Sequence, residues 1–140
     1  MIIRDKHLHI QIPCQNRQIK EVRKMFKEFS VGLPFDEEEL ANLGLVVNEG
    51  VANAIDHGAA NDSSMVIDID LWVKSNYLFI IIKDYGGKLF NPEYFDRIAM
   101  KKEWGRGGRG IYLMKAIMDN VSFVFSPSKF TTLYLSKKLR

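Results

Sequence analysis

Three groups of residues in this chain combine polar side chains or glycines at spacings that can do chemistry. Glu49 and Asn53 lie four apart within LGLVVNEGVANAIDHG, residues 43–58. On a helix, a carboxylate and an amide at this spacing project from one face about a turn apart, with Asp56 and His57 following on the same side. The amide oxygen of Asn53 suits a hard cation such as Mg²⁺, which keeps several waters and bridges to substrate phosphates, and Glu49 can orient or deprotonate an attacking hydroxyl. Asp84, followed by Tyr85 and Gly86, closes an apolar run. A carboxylate there accepts a hydrogen bond from an exocyclic amine of the kind adenine carries, and Gly86 lets a ring lie close to the backbone. Finally, Gly105-Arg106-Gly107-Gly108-Arg109-Gly110 opens a helix, where backbone N–H groups can approach an anion. Each group also has a plainer reading. Glu49 can be the solvated side of a boundary helix, Asp84 a turn-initiating aspartate, and the glycines a tight turn or lid. The chain has no G-x-x-x-x-G-K-[ST] loop, and its G-x-G-x-x-G does not follow a strand in a βαβ unit.

The elements that must position these groups are readable from periodicity. Leu8, Ile10 and Ile12 alternate with His7, His9 and Gln11 as a half-buried strand ended by Pro13, with both histidines on its solvent side. Residues 17–30 switch to helical spacing, with Ile19, Val22, Phe26 and Phe29 on one stripe and five basic residues elsewhere. Asp36 and Glu39 form a capping box that opens a helix over residues 37–57, stopped by Gly58. Residues 67–73 alternate as a one-sided strand, and Ser75-Asn76 turns into residues 77–83, apolar enough to be central to a sheet. Residues 88–107 lack periodicity and carry Pro92, as expected of a functional loop or lid with a short helix near residues 93–100. A helix carrying Ile111, Leu113, Met114, Ile117 and Met118 follows, and residues 121–125 and 131–136 close the chain as a hairpin. Strands and helices mix without regular βαβ alternation, so the expected class is α+β, a mixed and mostly antiparallel sheet with helices on one face.

Composition bounds the remaining choices. The 140 residues suit one domain with a core of its own. The formal charge of +3 is mild and scattered, apart from residues 101–109 and 137–140, so no direct nucleic-acid partner is expected. Cys14 is the only cysteine, which rules out an internal disulfide and suits a reducing cytoplasm. The N-terminal stretch lacks the apolar core of a signal peptide, and the longest apolar run is too short to span a bilayer, so no membrane association is expected.

Taken in order, Glu49-x-x-x-Asn53 within NEGVANAIDHG, Asp84-x-Gly86 after a hydrophobic strand, GRGIYLM at residues 108–114 with Met118-Asp119, and Thr131-Thr132 in the last strand resemble the motifs of the GHKL ATPases. Within that superfamily, the short length and the ending GRGIYLMKAIMDNVSF look like the bacterial anti-sigma-factor serine/threonine kinases. The resemblance covers nearly the whole chain. It implies a Bergerat-type two-layer α/β sandwich holding ATP and Mg²⁺ between the long helix and a lid. By match to the motifs, Glu49 is the expected general base, Asn53 the Mg²⁺ ligand, and Asp84 and Gly86 the adenine contacts. Gly108, Gly110 and Ile111 take the phosphate-loop positions, Thr132 a polar contact near the adenine or phosphates, and Arg106 and Arg109 meet phosphate charge. Family members typically form homodimers, sequester a sigma factor and phosphorylate a small STAS-domain antagonist, which makes these the expected partners. The chain departs from the family pattern in a longer path from Asp84 to Pro92 and in Phe130, where a glycine commonly precedes the paired threonines. Two other functions fit the same motifs: a non-catalytic ATP-binding regulatory module, and a histidine-kinase catalytic domain acting in trans.

Overall fold

The computed structural model describes residues 3–58, 62, 64–86 and 106–139. Its elements run β1 (Lys6–Pro13), α1 (Ile19–Phe29), α2 (Glu37–Asn53), β2 (Val66–Lys74), β3 (Tyr77–Asp84), α3 (Arg106–Ile117), β4 (Asn120–Ser126) and β5 (Phe130–Lys138). The strands form one five-stranded sheet in the order β1-β2-β3-β5-β4, with every pairing antiparallel. The central place expected for the apolar strand at residues 77–83 is therefore occupied by β3.

Register explains the layering. Ile10, Ile69, Ile82, Leu133 and Phe123 stand side by side across all five strands, and Leu8, Leu71, Ile80, Leu135 and Val121 form the next row on the same face. Most of these side chains are buried, because this face carries the helices. At Gly50 of α2, an added Cβ would lie 2.6 Å from Ile82 Cδ1 and 3.3 Å from Leu133 Cδ2, so the absence of a side chain sets how closely the helix approaches the sheet. Gly44 plays the matching part between helices, with Arg23 of α1 resting against it. The result is an α+β two-layer sandwich.

Local signals in the sequence set the boundaries. The capping box at the start of α2 is present: Glu39 N–H donates to Asp36 Oδ1 at 2.8 Å and Asp36 N–H donates to Glu39 Oε1 at 3.3 Å. Ser75 and Asn76 both adopt positive φ, the backbone that a tight hairpin between right-twisted strands requires. Two boundaries differ from expectation. Helix α2 ends at Asn53 and continues as a π-helical turn, Ala54–Gly58, whose wider winding breaks the helical spacing expected to carry Asp56 along the Glu49 face, while the His57 side chain lies outside the described residues. Helix α3 begins at Arg106, so the glycines at 107, 108 and 110 lie inside its first turns and not in a loop before it. Of the lid expected over residues 88–107, residues 88–105, with the short helix, fall outside the described residues, and 106–107 belong to α3. Among the described residues, no helix is long and apolar enough to cross a membrane.

Candidate functional site

Helix α2 delivers Glu49 and Asn53, and β3 delivers Asp84, to one end of the space between helices and sheet. Asn53 is the last residue of α2 and Asp84 the last of β3, and both are buried. Across the ladder, Asp84 pairs with Thr131 of β5, placing both on the helix-covered face in the row Ile12, Ile67, Asp84, Thr131, Phe125. A carboxylate in an otherwise apolar row is costly unless it is bonded. One of its bonds is local: Gly86 N–H donates to Asp84 Oδ1 at 3.1 Å, which folds the chain back at the strand end.

These residues line a pocket with about 330 Å³ of empty space, part of it open solvent, walled by Gly50, Ala54, Ile82, Phe123 and Leu133 with Asn53, Asp84 and Thr131 as its polar groups. Apolar walls with a few convergent polar atoms are the usual make-up of a small-molecule site. Among the described residues, three buried side-chain polar atoms lack a hydrogen-bond partner: Asn48 Oδ1, Asn53 Nδ2 and Thr131 Oγ1. Two of the three belong to this pocket. An unpaired buried polar atom costs about 1–3 kcal/mol, so their grouping points to a ligand that supplies the partners.

Helix α3 closes the site from the other side. A Cβ on Gly110 would lie 2.7 Å from Glu49 Oε2 and 3.3 Å from Glu49 Cβ, so the missing side chain lets the start of α3 lie against Glu49, with Asn53 Nδ2 at ordinary contact distance, 3.5 Å. The same approach brings the positive end of the α3 dipole toward the Glu49 carboxylate. Among the described residues there is no group of three or more His, Cys, Asp or Glu able to cage a metal. A cation here would depend on the Asn53 amide, whose oxygen takes the unpaired position when the amide is flipped, together with ligand oxygens and water.

Glu49, Asn53, Asp84, Gly86 and Gly110 thus gather at one end of the α2–sheet cleft. Two other expectations meet a different arrangement. Thr132 pairs with Lys83 and Val124 on the opposite face of the sheet, and it is Thr131 that lines the pocket, because adjacent strand residues alternate in direction. Ile111 is fully buried in the core. Arg106, Gly108 and Arg109 lie in the first turn of α3, and the phosphate contacts expected of Arg106 and Arg109 fall on side chains outside the described residues. Sequence reasoning missed Phe123, which the alternation of β4 turns toward the helices beside Leu133.

On the sheet face opposite the helices, His7 Nε2 and His9 Nδ1 both lie on Asp70 Oδ1, at 2.7 and 2.9 Å, and His7 stacks on Trp72. Hydrogen bonding to Asp70 raises the His9 pKa above its ordinary value, against the opposing effect of burial and with help from the Asp70 and Asp68 charges. Asp68 accepts from Gln11 at 2.9 Å and from the Tyr85 hydroxyl. Burial works against ionising Asp68, but the bonds from Tyr85 and Gln11 and the nearby positive charges hold its pKa below the usual value. The bond to Asp68 pushes Tyr85 up to about 12.

A family model for the histidine kinase-like ATPase domain matches residues 12–137. The anti-sigma F factor of Geobacillus sp. (strain WCH70) is 30% identical over 132 residues, covering 93% of this chain and 90% of that protein. That of Bacillus thuringiensis (strain Al Hakam) is 33% identical over 134 residues, covering 94% and 92%. Among solved structures, the RsbU and RsbW domains of a Mycobacterium tuberculosis protein match with a TM-score of 0.66 at 20% identity, over 96% of this chain and 32% of that longer one. The histidine kinase domain of the Erythrobacter litoralis blue-light activated histidine kinase matches with a TM-score of 0.58 at 16% identity, over 91% of this chain and 62% of that one. At these identities the two structures share the fold.

Proposed function

The chain belongs to the histidine kinase-like ATPase domain family and is related to the anti-sigma F factors, and from that premise we propose that it is an ATP-binding anti-sigma factor and protein serine/threonine kinase. It holds a sigma factor and transfers the γ-phosphate of ATP to a serine or threonine hydroxyl on a STAS-domain antagonist. The observation that carries the nucleotide reading is the meeting of Asp84, Asn53 and Thr131 in one pocket, with the latter two each presenting an unpartnered polar atom.

The donor set fits adenine. The Asp84 carboxylate accepts from an exocyclic amine, Thr131 Oγ1 serves a ring nitrogen directly or through water, and Ile82, Leu133 and Phe123 supply the apolar surround. Asn53 would hold Mg²⁺, which when bound would supply charge neutralisation at the phosphates. The backbone at the start of α3 offers N–H groups to the same anion. Glu49 accepts the proton of the attacking hydroxyl, and Gly110 keeps its carboxylate at the mouth of the site. The proposal takes the protein as a cytoplasmic homodimer, a setting in which the buried thiol of Cys14 stays reduced.

Incubation with γ-labelled ATP and a purified STAS-domain antagonist tests the kinase reading. Label on the antagonist that disappears in Glu49→Ala, while that variant still binds ATP, is the expected result. ATP binding without transfer to any antagonist would leave a nucleotide-gated binding module in its place.

A further inference from the structure

The sheet face opposite the helices carries a cluster directly behind the pocket. Lys83 Nζ lies 4.5 Å from the ring centre of Phe130 and 5.1 Å from that of Tyr85. Tyr85 also donates its hydroxyl to Asp68 of β2. The two rings belong to the immediate chain neighbours of the pocket's polar pair: Tyr85 follows Asp84, and Phe130 precedes Thr131. Because successive residues point to opposite faces, a contact that fixes Tyr85 and Phe130 on one side of the sheet fixes the backbone presenting Asp84 and Thr131 on the other.

We infer that Lys83, Tyr85 and Phe130 form a clip on the back of the sheet that positions Asp84 and Thr131 for base recognition. None of the three lines the pocket, so they are positioning residues. The need for such a device follows from where the pair sits. Asp84 is the last residue of β3, and Thr131 is the second of β5 beside the Ser126–Lys129 turn. Ladder bonds are sparse there and strand ends fray. A single ammonium shared by two rings ties the two strand ends together, and the Tyr85–Asp68 bond extends the tie to β2. Lys83→Met keeps the length and apolar stem of the side chain and removes only the charge.

This inference rests on the adenine reading above, and its test separates the two. Calorimetry with ATP and with inosine triphosphate, which lacks the exocyclic amine, measures the discrimination that Asp84 and Thr131 provide. Wild type should favour ATP, and Lys83→Met and Phe130→Ala should each reduce that preference by about three- to tenfold, as expected for losing cation–π contacts of this exposure. Inosine triphosphate affinity and the urea midpoint of Lys83→Met should stay close to wild type. A wild type that binds neither nucleotide, or both equally, removes the adenine reading itself. A wild type that discriminates beside a Lys83→Met variant that discriminates equally well overturns the clip and leaves the adenine reading intact. Equal weakening of both nucleotides with a lowered midpoint overturns it too, since that is the mark of general destabilisation.

Discussion

Asp84 and Thr131 face each other across β3 and β5, both buried, at the point where an apolar row of the sheet becomes polar. The carboxylate is braced by the Gly86 N–H, whereas the hydroxyl has no partner among the described residues. A protein that keeps an unpaired hydroxyl in its interior pays for it in stability, and the pocket beside it gives the reason.

Thr131→Val should therefore separate stability from function. Removing an unpartnered buried hydroxyl is neutral or stabilising to the free protein, while loss of one neutral hydrogen bond weakens ATP binding by about three- to tenfold. Thr132→Val, on the other face, should leave ATP affinity unchanged. Thermal melting of the free proteins and calorimetry with ATP read both effects.

Two glycines should respond oppositely to alanine. Each substitution gains up to about 1 kcal/mol of helix propensity. At Gly50 the new methyl meets Ile82 Cδ1 at 2.6 Å inside a packed core, where overpacking costs about 1–3 kcal/mol and outweighs the gain. At Gly110 it meets the end of the Glu49 side chain, which can swing away. Urea unfolding should show Gly50→Ala to be less stable and Gly110→Ala to hold its stability, whereas phosphotransfer should fall sharply in Gly110→Ala because Glu49 has been displaced.

The sheet face opposite the helices should give the stability curve three pH-dependent limbs. His9 has a raised folded pKa, so its contribution is complete below its unfolded value of 6.5 and is lost as pH rises through the folded pKa. Tyr85 moves from 10.0 to about 12, so its contribution persists to about pH 10 and is lost between there and about pH 12. Asp68 is depressed, so its contribution is present above 3.8 and is lost as pH falls through its folded pKa. Urea midpoints across pH should flatten near neutrality in His9→Gln and lose the alkaline limb in Tyr85→Phe.

Asp36→Ala removes the side-chain acceptor of the α2 capping box and should cost about 1 kcal/mol, within the usual range for a helix N-cap. Denaturant titration should show a lower midpoint with an unchanged slope.

What the sequence made legible is what local rules control. Strand alternation, the capping box and the Ser75-Asn76 turn all lie within a few residues of chain, and so did the order of the elements. The pocket's long-range pairing did not. Thr131 and Thr132 are adjacent and chemically identical, and only the register of β5 against β3 decides which faces Asp84. The joining of His7 and His9 to Asp70 likewise depends on β1–β2 register, which places residues more than sixty apart in contact. The π-helical turn after Asn53 escapes a helical-period reading, because its residues are ordinary helix formers until Gly58.

The most direct test of the account is calorimetry of ATP binding, with and without Mg²⁺, on wild type, Asp84→Asn and Asn53→Ala. The account predicts Mg²⁺-dependent binding by wild type, at least about tenfold weaker binding by Asp84→Asn through loss of a charged acceptor, and loss of the Mg²⁺ dependence in Asn53→Ala. Wild-type protein that does not bind ATP, or variants that bind it as wild type does, would contradict it.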